Sequence, residues 1–272
     1  MASMFTELRR IKNTTRFGDV VLSPAWDVIR TLRRRTIRDD GGVLRSVAQL
    51  SDKDKSALAT AYAYHARAEI ALDVACAYPG GDYFEFGSAG LCTFRSFLAA
   101  FDINSGHTKG SPDTRFYAFD IFGNPDQGSG PPVNERNFFE GWRGTQEAND
   151  PELLLTPYGP LKDRCVLVSG YYQDTLNESL KSKLRAEQRK IGFAFVDCNL
   201  DSSYKLVFDF LLDVIGSDKM FIYLDEYLMD HPVAALYQKF AAEVKRRHRL
   251  TSIYVRNAGS FGALFCLMPG LD

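Results

Sequence analysis

The sequence has 272 residues, enough for one large domain with an appendage or for two small domains. Hydrophobic residues make up 45% of it and charged residues 25%, as in ordinary soluble globular proteins. A formal net charge of -1 gives the chain no general attraction to nucleic acid or to anionic membranes.

The sequence also argues against membrane insertion, secretion and a cysteine framework. No apolar run is long enough to cross a bilayer, and the N-terminal residues contain no apolar core of a secretory signal. The 5 cysteines are scattered and form no CxxC pair, which disfavours both disulfides and a zinc site. We therefore expect a cytoplasmic protein that binds neither nucleic acid nor a membrane.

The first 80 residues are predicted to be mostly helical. A capping pattern at Ser51 precedes a run of good helix formers, Ala57–Ala77, and Pro79 with two following glycines ends that run. We interpret residues 1–80 as a helical N-terminal cap or extension and residues 81–272 as the main domain. The amphipathic character of the N-terminal part is compatible with a homo-oligomer.

From Asp82 onward, short apolar runs alternate with helical stretches. The predicted strands are Tyr83–Phe86, Arg115–Phe119, Cys165–Ser169, Ile191–Val196 and Lys219–Leu224. The predicted helices are Ala89–Phe101, Leu176–Arg189, Ser203–Ile215 and Val233–Arg247. Such alternation is typical of an α/β fold, a mainly parallel sheet with helices on both faces. The longest loop-like stretch, Gly123–Pro160, is interpreted as a lid over a binding crevice.

The predicted sheet ends differently from how it begins. Two further strands, Ser252–Val255 and Ala263–Met268, are joined by a connection too short for a crossover helix, so we expect them to pair antiparallel. A Rossmann-like parallel sheet that ends in an antiparallel hairpin is the outline of a class I S-adenosylmethionine-dependent methyltransferase. The absence of a GxGxxG motif from the first turn disfavours an NAD-dependent oxidoreductase.

Candidate cofactor residues lie where the first predicted strands end. Glu85 is followed by a turn that contains Gly87, Ser88 and Gly90, and glycine lets a ligand approach the backbone closely. Asp120 ends the second strand, where a carboxylate can accept hydrogen bonds from ribose hydroxyls. A tight turn and a helix cap are the purely structural alternatives for these two features.

A third candidate, Asp174, lies between a predicted strand and a predicted helix. Its functional interpretation is a contact with the amino group of an adenine, with Tyr171 or Tyr172 beside the ring. The structural alternative is again a helix cap.

Three carboxylates follow the next two strands. Asp197 ends one strand, and Asp225 and Glu226 end the next. Carboxylates that converge need a cation, a shared proton or a cationic partner, and Mg²⁺ prefers hard oxygen ligands. We therefore predict a magnesium site at these three residues, with helix capping and solvation as the alternative. His231 is close enough in sequence to be a candidate catalytic base. Asp197 is a second catalytic candidate and also a candidate cofactor-binding residue.

Five short motifs occur in order along residues 80–268. They are YFEFGSAG, FYAFDIFGNPD, GYYQDTL, FAFVDCNLDSSYK and YLDEY. In order and spacing they resemble the macrocin O-methyltransferase family, whose members methylate sugar hydroxyls on natural products. The resemblance implies S-adenosylmethionine at Glu85, Gly87, Asp120 and Asp174, and Mg²⁺ at Asp197, Asp225 and Glu226.

The sequence departs from the family pattern at two positions. Glu226 stands where the family has the second of two aspartates. Asn199 stands where an aspartate is proposed to take part in catalysis, and an amide cannot act as a carboxylate base.

These observations together predict an O-methyltransferase that acts on a hydroxyl of a small-molecule acceptor, a sugar or a natural product, with Mg²⁺ assisting. Two alternatives stay open. One is a binding protein that retained the cofactor cleft and lost catalysis, and the other is a metal-independent small-molecule methyltransferase.

Overall fold

The computed structural model describes residues 66–71, 73–75, 77–104, 113–122, 151–228, 232–258 and 261–270. The strands are β1 Asp82–Phe86, β2 Phe116–Asp120, β3 Cys165–Ser169, β4 Ile191–Val196, β5 Met220–Leu224, β6 Leu250–Ala258 and β7 Gly262–Pro269. The helices are α1 Cys92–Asn104, α2 Pro151–Leu155, α3 Tyr172–Thr175, α4 Glu178–Ala186, α5 Asp201–Val214 and α6 Val233–His248. A 3₁₀ helix, Thr156–Arg164, joins α2 to β3. Residues 66–71 and 73–75 are also helical, and we call them the Arg67 segment. None of the helices in these ranges is long and apolar enough to span a membrane.

The seven strands form one sheet in the order β3-β2-β1-β4-β5-β7-β6. Strands β1 to β5 pair in parallel, and β7 pairs antiparallel with both β5 and β6. Every residue of β1, β4 and β5 is buried, as expected for strands that helices cover on both faces. The predicted α/β sheet with a terminal antiparallel hairpin is therefore confirmed. The strand order reverses between β1 and β4, and open α/β sheets bind ligands at such a point.

Alternate residues along each strand point into two separate hydrophobic layers. Tyr83 of β1 faces α1 and stacks on Phe97 with ring centroids 4.1 Å apart. Phe84 and Phe86 face the opposite side, where α5 and α6 pack. There Phe86 stacks on Phe119 at 4.7 Å. The sheet is thus held between two helical layers that share its central strands.

The Arg67 segment packs into the same layer as α1. Ala66, Ala68, Ile70 and Val74 are each at most 4% exposed and belong to the core on that face of the sheet. The helix predicted for Ala57–Ala77 is thus helical in most of its described residues. The predicted domain boundary at residue 80 stays a prediction, although this segment contributes directly to the core of the sheet.

The end of the predicted loop Gly123–Pro160 is helical instead. Helix α2 begins at Pro151, a residue that fits the first turn of a helix because it lacks an N–H group. Leu155 and Tyr158 are buried and give this stretch an apolar face. The sequence suggested a loop because prolines and a glycine follow one another closely in the 3₁₀ helix. Residues 123–150 lie outside the described residues.

A buried ion pair joins the start of β1 to the approach to β4. The Asp82 side chain is 1% exposed, and Arg189 Nε donates to its Oδ2 at 2.7 Å while Arg189 Nη2 donates to Oδ1. The backbone N–H of Arg115 also donates to Oδ1, at 2.8 Å. Burial raises the pKa of Asp82, and the hydrogen bonds from Arg189 oppose that rise. The carboxylate therefore connects β1 to the residues that lead into β2 and β4.

Replacing Asp82 with asparagine should lower the free energy of unfolding by about 3 kcal/mol, because it leaves the Arg189 guanidinium without its counter-charge. Urea denaturation followed by circular dichroism measures the loss. The matched control is Asp218→Asn, which removes an exposed ion pair with Lys190 at 2.7 Å. That control should cost less than about 1 kcal/mol. Equal losses in the two variants would contradict a structural role for Asp82.

Candidate cofactor site

The predicted cofactor residues meet at one edge of the sheet. The backbone N–H groups of Gly87, Asp197 and Asp225 donate to carbonyls at the ends of neighbouring strands, those of Phe119, Phe86 and Val196, at 3.0, 2.9 and 3.0 Å. These hydrogen bonds extend the pairing of β1, β2, β4 and β5 by one residue beyond the strands. Asp120, the last residue of β2, lies at the same edge. The parallel register therefore gathers side chains that are more than 100 residues apart in sequence.

The turn after β1 brings the backbone against the end of β4. Gly87 has a φ of +85°, and a Cβ on it would lie 1.9 Å from the carbonyl oxygen of Asp197. Only glycine fits such a position. Ala89 and Leu91 also have positive φ angles, 41° and 58°. This conformation costs a non-glycine residue about 1–3 kcal/mol, and such strain is concentrated at functional sites.

Asp120 holds this turn through its carboxylate. Its Oδ2 accepts from the backbone N–H of Ala89 at 2.7 Å, and its Oδ1 accepts from the backbone N–H of Ile121 at 2.7 Å. Burial raises the pKa of Asp120, and these backbone hydrogen bonds oppose the rise. Each carboxylate oxygen can accept a second hydrogen bond. The structure thus gives Asp120 a turn-stabilising contact, and ribose binding by the same oxygens stays a prediction.

Glu85 carries a buried carboxyl group in β1, with 1% of the residue exposed. The Tyr83 hydroxyl donates to its Oε2, and the buried Ser88 hydroxyl donates to its backbone carbonyl at 3.2 Å. Burial raises the pKa of Glu85 to about 8, although the hydrogen bond from Tyr83 acts against it. The carboxyl is therefore largely protonated at neutral pH. A cationic group of a ligand placed beside it would favour the ionised form.

Helix α3 closes the opposite side of the turn. The ring of Tyr172 meets Phe86 edge-on at 6.2 Å, and Cys198 Sγ donates to the Tyr172 hydroxyl at 3.6 Å. Asp174 lies in the same helix, and its backbone carbonyl accepts from Asn177 Nδ2 at 2.6 Å. A contact of Asp174 with an adenine amino group stays a prediction.

An arginine of the Arg67 segment joins the two carboxylates at the ends of β4 and β5. Arg67 Nε donates to Asp225 Oδ1 at 3.0 Å, and Arg67 Nη2 donates to Asp225 Oδ2 at 2.5 Å. The same Nη2 lies 3.1 Å from Asp197 Oδ2. The Tyr223 hydroxyl donates to Asp225 Oδ1 at 2.6 Å. The two carboxylates thus converge next to a cationic partner. Arg67 and Asp225 form a bidentate, charge-assisted pair, which is among the stronger kinds of hydrogen-bonded ion pair.

This three-residue cluster is largely removed from water. The side chains of Arg67, Asp197 and Asp225 are 19%, 17% and 15% exposed. Burial and then the charge of Asp225 raise the pKa of Asp197, and Arg67 opposes that rise. Burial alone would lower the pKa of Arg67, but the two carboxylates outweigh it and raise the pKa. Arg67 therefore stays charged between them.

Sequence reasoning did not single out Arg67. The residue lies in a stretch interpreted as a helical cap, where a lone arginine resembles part of a solvated face. The available signal was its neighbourhood: alanines lie on both sides, Ile70 follows three residues later, and all of these are buried. An arginine on so apolar a helix has to find a buried partner.

The remaining predicted residues fall in different places. Glu226 is half-buried in the turn after β5, and its charge raises the pKa of Asp197 further. Asn199 is exposed after β4. His231 lies outside the described residues, so its role as a base stays a prediction. In the part of the chain that the structure describes, no group of three His, Cys, Asp or Glu side chains could hold a metal ion. The magnesium set Asp197, Asp225 and Glu226 also stays a prediction.

Comparisons with known proteins identify the fold. No protein-family model matches the chain, and no curated protein matches it. The structure of the O-methyltransferase NovP is similar with a TM-score of 0.51 at 15% sequence identity, over 75% of this chain and 80% of NovP. The O-methyltransferase TomG from Streptomyces achromogenes, involved in tomaymycin synthesis, has a TM-score of 0.48 at 15% identity, over 91% of this chain and 90% of TomG. The strand order and the similarity to NovP show that the chain has the class I methyltransferase fold.

Replacing Gly87 with alanine should lower the free energy of unfolding by at least about 2 kcal/mol, because the new Cβ meets backbone and the φ angle is left-handed. Gly90→Ala is the matched control in the same turn, since nothing lies within 4 Å of a Cβ built there. That control should change the free energy by less than about 1 kcal/mol. Urea denaturation compares the two variants, and a Gly87→Ala protein as stable as Gly90→Ala would refute the close approach to β4.

Proposed function

We propose that this protein transfers the methyl group of S-adenosylmethionine to a hydroxyl of a small molecule, a sugar or a natural product. The observation that carries the proposal is the site at the reversal of strand order. There a strained glycine turn is fixed by Asp120 and lies against the backbone of Asp197. Such a turn lets a ligand approach the backbone while carboxylates at the neighbouring strand ends bind its polar groups.

In this proposal each end of the cofactor has its own carboxylate. The carboxylate of Asp120 is oriented by two backbone N–H groups and binds the ribose hydroxyls through its remaining lone pairs. Asp174 contacts the adenine amino group. The cofactor's α-ammonium lies near Glu85, whose buried carboxyl ionises when that positive charge arrives. Asp197 is the second carboxylate in this proposal at the end of the site that receives the α-ammonium.

The chemistry is an in-line displacement at the methyl carbon. The acceptor oxygen attacks, the bond from sulfur to carbon breaks, and the products are a methyl ether and S-adenosylhomocysteine. The hydroxyl proton leaves to a base, for which Asp197 and His231 are the candidates. The protein's contribution is to hold the oxygen behind the methyl group and to exclude water.

The carboxylates as arranged do not fit a magnesium ion that binds alongside Arg67. Both oxygens of Asp225 accept hydrogen bonds from the guanidinium, and the Arg67 Nη2 is also close to Asp197. Mg²⁺ needs oxygen ligands at about 2.0–2.1 Å in near-octahedral geometry. The proposed displacement therefore includes no step that depends on a metal.

A second candidate function is binding without turnover. The observation that favours it is the exposed amide of Asn199, at the position where the family resemblance leads one to expect a catalytic aspartate. A protein of this kind would keep the cofactor cleft and lack methyl transfer.

Calorimetric titration with S-adenosylhomocysteine should give binding with a Kd of roughly 1–50 µM, and NAD should not bind. Asp120→Ala should weaken binding at least about tenfold, because it removes the ribose acceptor and releases the turn. The control is Asp218→Asn. Asp218 is exposed and pairs with Lys190 ahead of β4 and β5, whereas the site lies where these strands end, so this variant should bind like the unmodified protein. Absence of binding to the unmodified, folded protein would overturn the proposed function.

Incubation with S-adenosylmethionine and a panel of hydroxylated acceptors should yield S-adenosylhomocysteine and a methylated acceptor, both measured by mass spectrometry. The Asp120→Ala variant should lose most of this turnover at the same cofactor concentration. Tight binding of S-adenosylhomocysteine without turnover on any sugar or natural-product hydroxyl would instead favour the binding protein.

A further inference from the structure

The cleft contains a resident cation whose position is built into the fold. Arg67 approaches from a helix whose neighbouring side chains, Ala66, Ala68 and Ile70, are buried against the sheet. Its guanidinium bonds to both oxygens of Asp225 and lies 3.1 Å from Asp197. The arginine therefore comes from a helix anchored by its own apolar contacts, and it reaches two strand ends at once.

The partner carboxylate is oriented to receive that guanidinium. The Tyr223 hydroxyl donates to Asp225 Oδ1 at 2.6 Å, and the Tyr223 ring stacks on Phe195 at 4.3 Å. Gly262 leaves room for the tyrosine, because a Cβ there would lie 2.1 Å from its hydroxyl oxygen. Tyr223 and Arg67 thus both donate to Asp225 Oδ1, and a planar, forked donor such as the guanidinium matches both carboxylate oxygens.

We propose that Arg67 takes the place of a divalent cation in this cleft. It offsets one of the two negative charges of the Asp197–Asp225 pair and occupies the oxygens that a metal would need, so the protein binds no Mg²⁺ at these carboxylates and assembles its cofactor site without metal. Arg67 acts here as a positioning residue, because it sets where the two carboxylates point. The proposal depends on the proposed function only for its catalytic consequence, since the ion pair and the metal binding can be measured without methyl transfer.

The test uses Mn²⁺ as a paramagnetic substitute for Mg²⁺, with the full-length protein. Electron paramagnetic resonance counts bound Mn²⁺, and thermal unfolding is recorded with MgCl₂ and with EDTA. The unmodified protein should bind no stoichiometric Mn²⁺ at concentrations up to about 1 mM. Any Mn²⁺ site would then have a Kd above about 1 mM, which corresponds to a binding free energy weaker than roughly −4 kcal/mol. Its melting temperature should be the same in both buffers.

Arg67→Met should lower the melting temperature by roughly 6–12 °C, because it leaves two buried carboxylates without a counter-charge. The variant should also gain one Mn²⁺ site, and MgCl₂ should restore part of the lost stability. A merely structural arginine would not produce that gain. The matched control is Arg256→Met, which removes a half-buried arginine paired with Glu69 and Asp73 of the same segment. It should gain no Mn²⁺ site.

Arg67→Lys provides a second variant, should the methionine variant fail to fold. Lysine keeps the positive charge but lacks the planar guanidinium that donates to both oxygens of Asp225. The variant should therefore unfold at an intermediate temperature and still bind no Mn²⁺. Stoichiometric Mn²⁺ binding by the unmodified protein, abolished in Asp225→Asn, would overturn the proposal. An Arg67→Met protein with unchanged melting temperature and no Mn²⁺ site would overturn it as well. Binding of S-adenosylhomocysteine, measured separately, decides the proposed function in either case.

Discussion

The carboxylates of Asp197 and Asp225 emerge side by side because β4 and β5 are parallel neighbours in register, and burial leaves little water to screen their charges. The guanidinium of Arg67 reduces that repulsion, and several other features of the structure follow from its presence. A helix ahead of β1 has to lie on the sheet to deliver it, and the flanking alanines allow that helix to lie close. Tyr223 has to fix the Asp225 carboxylate, and Gly262 has to leave space for Tyr223. Elements from both ends of the described chain are thereby tied to one ion pair.

The other buried carboxylates meet the same physical requirement with different partners. Asp82, at the opposite end of β1, has an arginine of its own and one backbone N–H group. Asp120 accepts from backbone N–H groups, one from Ala89 in the turn that it holds in place and one from Ile121, the residue that follows it. Glu85 accepts a hydrogen bond from a tyrosine hydroxyl, and burial raises its pKa to about 8 although the charge of Arg67 acts against the rise. A cationic ligand placed beside Glu85 would favour its ionised form.

The sequence predicted most of the sheet because its strands are short apolar runs between charged or turn-forming residues. The bounds of Cys165–Ser169 and Ile191–Val196 agree to the residue with the structure. Helix α1 begins at Cys92 rather than at Ala89, because the turn holds Ala89 and Leu91 in left-handed conformations that depend on contacts with β2 and β4. Helix α2 was not predicted, because the prolines at its start and in the following 3₁₀ helix are typical of a loop. The carboxylates could be placed at strand ends from their spacing alone, but the partner of Asp225 could not. A contact between residues 158 positions apart has no local sequence signature.

That separation has a consequence for synthesis in the cell. A ribosome adds roughly 5–20 residues per second, so on the order of ten seconds pass between the appearance of Arg67 and that of Asp225. Until then the buried face of the Arg67 segment, with Ile70 and Val74, has no complete sheet to cover it. The nascent chain therefore exposes an apolar helix during the whole interval in which β1 to β5 are made. Contacts of such long range are also the slowest to form once the chain is released. The arginine that bridges the two carboxylates is thus made well before Asp225, and its contact with Asp225 is among the last to form.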